Sequence, residues 1–277
     1  MIRFTKMQGI GNDFVMVDTI SDPLPTLDLA QLARQTNDRK FGVGADGLIL
    51  VEKGDSAPFR MRMFNPDGSE SEMCGNGIRC FAKMLRDKGH LHADKVDVET
   101  GAGTLNLEIK PSGMVSVNMG VAKLTRGEIG MVGESGEDFH EVPTETMSGT
   151  FPATAVSMGN PHLVLFVADA ASIPLSVIGP ELEHHPLFPK RTNVHFIQVL
   201  DRKTLIQKTW ERGAGITLAC GTGACASAVA AVVTGRADRS VEMQLPGGSL
   251  FIDYLGSGEV IMTGPAETVF EGEWLAK

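Results

Sequence analysis

The chain writes one stretch twice: Phe64-Asn65 leads after a nine-residue step to Cys74-Gly75-Asn76-Gly77, and Trp210-Glu211 leads after the same step to Cys220-Gly221-Thr222-Gly223. In both copies a β-type run reaches a cysteine, two glycines bracket a small polar residue, and a helix-period segment follows, Ile78 to Lys88 and Ala224 to Val233. Each cysteine is therefore expected at a strand-to-helix turn near a helix N-terminus. There, unpaired N–H groups and the positive dipole end lower a thiol pKa and hold anions. Two such turns would make a two-thiol site for an anionic ligand.

The duplication reaches further. Gly11-Asn12-Asp13-Phe14-Val15 lies before the first copy and Gly159-Asn160-Pro161-His162-Leu163-Val164 before the second, an offset of 160 − 12 = 148. The cysteines give 220 − 74 = 146, and the hairpin turns Pro111-Ser112-Gly113 and Gly256-Ser257-Gly258 give 258 − 113 = 145. Landmarks in one order at nearly one offset imply two homologous halves, and a period this long means paired domains. The expected division is 1–120, rejoined by a final strand over 266–277, and 121–265.

The first half reads as strands at Ile2 to Met7 and Asp13 to Val17, then a helix capped by Thr26 and running to about Gln35. Strands at Gly47 to Val51 and Arg60 to Phe64 lead to Cys74 and its helix, and a hairpin over Thr104 to Met119 closes the half. Residues 121 to 150 read as a connector with short strands. The second half repeats the order, with strands at Ala153 to Ser157 and His162 to Val167, and a helix near Pro180 to His184. Strands at Asn193 to Leu200 and Leu205 to Glu211 then lead to Cys220, its Ala-rich helix and hairpins to Thr263. The expected class is α+β: two pseudo-symmetric, mainly antiparallel, strand-rich halves, each around a central helix, with the site in the cleft between them.

A length of 277 residues is ample for two cores, and 32 glycines with 6% aromatics fit a soluble, turn-rich protein. The formal charge of -9 and the lack of a basic block exclude a general nucleic-acid surface. The opening Met1-Ile2-Arg3-Phe4-Thr5-Lys6 is no signal peptide, and no apolar run reaches the ~18 to 20 residues of a membrane span. A cytoplasmic location with free thiols is expected. Cysteine spacings of 74 to 80 and 220 to 225 are not those of a zinc site, so no metal is expected.

Gly42-Val43-Gly44-Ala45-Asp46-Gly47 spells the dinucleotide fingerprint, yet it precedes a strand instead of opening a helix. Gly221-Thr222-Gly223-Ala224-Cys225-Ala226 does open a helix, but that helix runs on towards a Pro-Gly-Gly hairpin, not a crossover strand. Neither supports a nucleotide site. Cys80 and Cys225 read as helix core, and His90, His92, His184 and His185 as surface residues. A symmetric thiol pair suits inversion of a stereocentre, which needs a base on one face of a carbon and an acid on the other. Helix N-termini would stabilise the neighbouring carboxylate as the proton leaves, with neither metal nor pyridoxal lysine required.

These residues resemble the diaminopimelate epimerase family across essentially the whole chain. The likeness is carried by Met7-Gln8-Gly9-Ile10-Gly11-Asn12-Asp13-Phe14, Phe41 to Gly47, Phe64-Asn65-Pro66-Asp67-Gly68-Ser69 into Met73 to Gly77, Met158-Gly159-Asn160-Pro161-His162, Asn193, and Trp210-Glu211-Arg212-Gly213 into Ala219 to Gly223. The resemblance implies a cofactor-independent interconversion of LL- and meso-diaminopimelate on the route to lysine and peptidoglycan precursors, with Cys74 and Cys220 as the acid/base pair. It implies that His162 and Glu211 tune the thiols, that backbone at Gly75, Asn76, Gly221 and Thr222 holds the reacting carboxylate, and that Asn12, Asn65, Asn160, Asn193, Glu211 and Arg212 contact substrate. Gly47 departs from relatives that carry a glutamine, and Phe270 from relatives with an interface tyrosine, so a homodimer is a looser expectation. A proline- or hydroxyproline-racemase-like enzyme, a non-catalytic binding protein and a redox pair are the alternatives.

Overall fold

A computed structural model describes residues 1–275, so positions 276 and 277 of the expected final strand lie outside the described residues. The chain forms two compact units, one built from Met1–Asn118 with the segment from Thr263 onward, the other from Met119–Met262. Both are strand-rich.

In the first unit, β1 (Ile2–Gly9) and β2 (Asn12–Asp18) pair antiparallel, and α1 (Leu29–Asn37) crosses over to β3 (Gly47–Lys53), which lies parallel to β2. β3 pairs antiparallel with β4 (Phe59–Phe64), which also holds the short β5 (Glu70–Ser71). Then α2 (Gly75–Asp87) crosses to β6 (Lys95–Thr100), parallel to β4, and β7 (Gly103–Ile109) and β8 (Val115–Val121) add antiparallel strands.

The second unit repeats this plan. After α3 (Arg126–Ile129), β9 (Val142–Thr146) and β10 (Gly149–Ser157) form a hairpin, and β10 pairs antiparallel with β11 (Pro161–Phe166). From β11, α4 (Leu175–Glu183) crosses to the parallel β12 (Asn193–Asp201), antiparallel to β13 (Thr204–Glu211), which carries the short β14 (Gly215–Ile216). α5 (Gly221–Val233) then crosses to β15 (Ser240–Leu245), parallel to β13, with β16 (Gly248–Tyr254) antiparallel beyond it and β17 (Glu259–Gly264) following. The closing β18 (Glu267–Trp274) belongs to the first unit and pairs antiparallel with β1.

Among the described residues each half is thus mainly antiparallel, with a parallel pair under each helical crossover. Register confirms the repeat: Phe14 faces Gly47 across β2 and β3, and His162 faces Asn193 across β11 and β12. Gly47 is therefore the first-unit counterpart of Asn193.

The central helices are enclosed by strands. α2 packs on β1, β2, β3 and β7, and α5 on β10, β11, β12, β15 and β16. In α2 the core face is Ile78, Phe81, Ala82 and Leu85, at the i, i+3, i+4, i+7 spacing, with Lys83, Arg86 and Asp87 left outside. α5 is apolar nearly all round, and its alanines let the strands close around it. Both helices end at equivalent glycines, Gly89 at φ 76° and Gly235 at φ 72°, the left-handed cap that stops a helix.

Several boundaries differ from expectation. The cap of α1 is Asp28, whose carboxylate accepts from Gln31 N at 3.1 Å, not Thr26. α4 starts five residues before Pro180, which sits inside it. The Gly-polar-Gly triplets are no separate turns; they form the first turns of α2 and α5, with Cys74 and Cys220 as the N-cap residues themselves.

Candidate active site

Cys74 caps α2 in extended conformation, φ −138° and ψ 121°, and Cys220 caps α5 at φ −130° and ψ 103°. The first helical bonds are Ile78 N to Cys74 O and Ala224 N to Cys220 O, both 2.9 Å. The amides of 75–77 and 221–223 therefore point beyond the helix ends, as an anion site requires. Gly75, Asn76, Gly221 and Thr222 are all in these first turns.

In the first unit the Cys74 thiol donates to Asn12 Oδ1 at 3.5 Å, and Asn76 Nδ2 donates to the same oxygen at 3.2 Å. The Asn12 amide is fixed from its other end, because Nδ2 donates to Asp46 Oδ2 at 2.6 Å. Asp46 in turn takes Arg39 Nη2 at 2.7 Å, and Arg39 also holds Asp13. Burial pulls the Asp13 carboxyl upward, but hydrogen bonds from Arg39 and Lys6 outweigh it and the net shift is downward. The glycine-rich stretch before β3 thus supplies Asp46, an anchor for Asn12 that motif reading missed. Asn65 organises its own turn, with Nδ2 donating to Ser69 Oγ at 3.0 Å.

In the second unit Cys220 is only 5% exposed. Burial pushes its thiol well above the ordinary value, the Glu211 carboxylate adds to the rise, and the Gly223 N–H and Thr222 hydroxyl oppose it without winning. The expected lowering at the helix N-terminus is overturned here, because burial and the Glu211 carboxylate outweigh the Gly223 N–H and the Thr222 hydroxyl. Cys220 rests as the thiol.

His162 lies inside, with Nδ1 against His195 Nε2 and Nε2 against Asn160 Oδ1, both at 2.9 Å. His195 Nδ1 meets Thr209 Oγ1 at 2.9 Å. One nitrogen of each of His162 and His195 and the Cys220 sulfur all lie within 4.8 Å of one another. His195 was not singled out by motif, although Asn193 and His195 alternate onto one face of β12. Asn193 donates to Pro161 O and accepts from Arg212 N, each at 3.0 Å, while Arg212 Nη1 donates to Lys190 O at 3.2 Å. Glu183, also missed, is buried and accepts from Trp210 Nε1 at 2.7 Å and Gly213 N at 2.9 Å, fixing the turn that carries Glu211 and Arg212.

Elsewhere, Cys80 and Cys225 are buried in the helices as expected, and burial pushes the Cys80 thiol up to about 12. His90 is not a loose surface residue, since Nε2 lies 2.8 Å from Asp18 Oδ2. Phe270 is 46% exposed on β18, edge-on to Phe4. No helix among the described residues is long and apolar enough to cross a membrane.

Burial holds both inner imidazoles neutral, His195 down to about 3 and His162 well below its usual value. A histidine with a folded pKa below its unfolded value of about 6.5 binds more protons when unfolded. Its stabilising share is complete above about pH 6.5 and is lost as pH falls from there towards the folded value, about 3 for His195, at up to about 1.4 kcal/mol per pH unit for each histidine. Denaturant midpoints measured from pH 7.5 down to 5 are expected to fall, and His195→Gln to flatten the slope. Parallel curves for the two proteins would contradict this burial account.

The family model described as "Diaminopimelate epimerase" matches residues 4–125 and 154–269. A diaminopimelate epimerase from Moorella thermoacetica is 50% identical over 99% of both chains, and one from Pelotomaculum thermopropionicum is 49% identical over 99% of both. Among solved structures, a Bacillus anthracis phenazine biosynthesis protein of the PhzF family shares the fold, with a TM-score of 0.71 at 19% identity over 99% of both chains. From near its first residue to near its last, this chain belongs to the diaminopimelate epimerase family.

Proposed function

We propose that this protein interconverts LL- and meso-diaminopimelate by α-proton transfer between two cysteines, in the cytoplasm, serving lysine and peptidoglycan precursor synthesis. The observation that carries the chemistry is the repeated slot: in each unit one cysteine is the N-cap of the enclosed helix, beside amides 75–77 or 221–223. One sulfur, as thiolate, takes the α-proton; the other, as thiol, gives a proton to the opposite face of the same carbon. The raised thiol of Cys220 suits the acid at rest, with Cys74 as the base. The amides at Gly75, Asn76, Gly221 and Thr222 meet the negative charge that grows on the α-carboxylate.

Glu211 and His162 set the protonation of Cys220, Glu211 directly and His162 through the buried pair it forms with His195. Asn12, Asn65, Asn160, Asn193, Glu211 and Arg212 recognise the substrate, with the exposed Arg212 guanidinium suited to the distal carboxylate. We assign domain roles to 1–120 with 266–277 and to 121–265, and a homodimer face to Phe270, whose half-exposed ring supports that reading.

Arg212→Ala is expected to lower kcat/KM for diaminopimelate by about 10²-fold, chiefly through KM, since one charged pairing is lost. The reaction itself is tested by proton NMR with LL-diaminopimelate, reduced protein and a chelator. Appearance of the meso isomer supports the assignment, whereas inertness there with turnover of proline or hydroxyproline would overturn it.

A further inference from the structure

The two units build one slot from different chemistry. A methyl group on Gly77 would meet Ile49 Cδ1 at 2.7 Å, Cys74 Cβ at 3.5 Å and Phe14 Cζ at 3.5 Å. On Gly223 it would meet His195 Cε1 at 2.2 Å, His195 Nε2 at 2.7 Å and Cys220 Sγ at 3.0 Å. These are corresponding positions, because 195 − 49, 223 − 77 and 220 − 74 all equal 146, and 162 − 14 equals the 148 of the preceding strand. Phe14 and Ile49 wall the first cysteine with hydrocarbon. His162 and His195 wall the second with nitrogen donors.

We propose that His162 Nδ1, His195 Nε2 and Cys220 Sγ form a site for a zinc-class divalent metal ion, whose binding arrests Cys220. In a tetrahedral zinc site with Zn–N of about 2.0–2.1 Å and Zn–S of about 2.3 Å, neighbouring donors stand about 3.3–3.6 Å apart. Here the two nitrogens are 2.9 Å apart and all three donors lie within 4.8 Å, so shifts on the order of 1 Å close the geometry. The remaining ring nitrogens already have outer partners, Asn160 Oδ1 for His162 and Thr209 Oγ1 for His195, the arrangement that orients metal-bound imidazoles.

Both rings are fully buried beside the sulfur. Two imidazoles and a sulfur favour zinc over magnesium or calcium, and the nearby Glu211 carboxylate offsets the added charge. Binding forms one Zn–S and two Zn–N bonds in place of zinc–water bonds, and the Cys220 S–H bond breaks with its proton leaving to solvent. A proton on His195 Nε2 moves to Nδ1, where Thr209 Oγ1 accepts its hydrogen bond. No electron is transferred, one proton is released, and affinity rises with pH. The fourth position stays with water. The metal is an inhibitor, not a resident cofactor.

Metal binding stands on the geometry alone; arrest of turnover rests on the function proposed above. Cobalt(II) added to the reduced full-length protein serves as the probe. One equivalent is expected to give a thiolate-to-cobalt charge-transfer band and tetrahedral ligand-field bands, displaced by zinc. Cys220→Ala should abolish the charge-transfer band, His195→Gln should weaken binding at least tenfold, and Cys74→Ala should retain the spectrum, with circular dichroism confirming each fold. A wild-type protein without these bands, a charge-transfer band persisting in Cys220→Ala, or its loss in Cys74→Ala would overturn the site. In the parallel assay zinc should inhibit epimerisation reversibly by chelator, with His195→Gln at least tenfold less sensitive. Cobalt bands with unimpaired turnover would uphold the site and overturn the assignment of Cys220 to the reaction.

Discussion

Replacing either Cys74 or Cys220 by alanine is expected to cut epimerisation of diaminopimelate by at least about 10³-fold, because inversion needs both an acid and a base and neither half can be skipped. The fold should survive. Cys74 makes no side-chain cap bond, and at Cys220 only a weak contact from the Gly223 N–H is lost. Removing one buried sulfur at Cys220 costs on the order of 1 kcal/mol, well within the stability of a domain this size. Circular dichroism and thermal melting of both variants, beside their turnover, separate the two effects. Near-normal turnover in either variant would remove its thiol from the mechanism.

Gly223→Ala should be nearly as damaging, for a steric reason. Alanine is the better helix former by about 1 kcal/mol, which alone would stabilise α5. Against that, the methyl would overlap the His195 ring, with Cε1 at 2.2 Å and Nε2 at 2.7 Å. Moving the ring aside would strain its hydrogen bonds to His162 and Thr209, which restrain it from both ends. Overpacking of this kind costs about 1–3 kcal/mol, so the clash wins. Melting should fall by roughly 2–4 °C per kcal/mol, and displacement of Cys220 should lower kcat by about 10²-fold. Gly77→Ala at the equivalent point should be milder, since its nearest obstacle is the terminal methyl of Ile49, which can rotate. Equal effects at the two glycines, read by melting and turnover together, would contradict a fixed His195.

The duplicated cysteine stretch made most of the fold legible. Hydrophobic period located α2 and an unbroken Ala-rich apolar run located α5, each ended by a glycine, and alternation located the strands beside them. The parallel pairs β2 with β3 and β11 with β12 were not legible, since nothing local distinguishes a crossover from a hairpin once a helix intervenes. Thr26 and Asp28 both suit a helix cap, and only the bond to Gln31 N decides for Asp28. Pro180 reads as a helix start, yet neighbours hold the helix through it.

At the candidate site, residues that sit in both copies of the motif were found, and residues that act through tertiary contact were not. Asp46 fixes Asn12 from 34 residues away, and His195 meets His162 from 33 away. The rise of the Cys220 thiol follows from enclosure and from Glu211, neither of which a helix N-terminus reveals by itself. Glu183 reaches Gly213 across 30 residues of chain, and only folding shows that it sets the turn bearing Arg212.

The central claim is that two different thiols handle the proton, and the most direct test follows deuterium from solvent into each isomer during the first turnovers of LL-diaminopimelate in deuterated water. With separate acid and base, the meso product should carry deuterium at the inverted carbon while unreacted LL substrate keeps its original proton. Early meso product that retains the substrate's own proton, or equal labelling of both isomers from the start, would mean that a single group removes and returns it, and the two-cysteine account would fall.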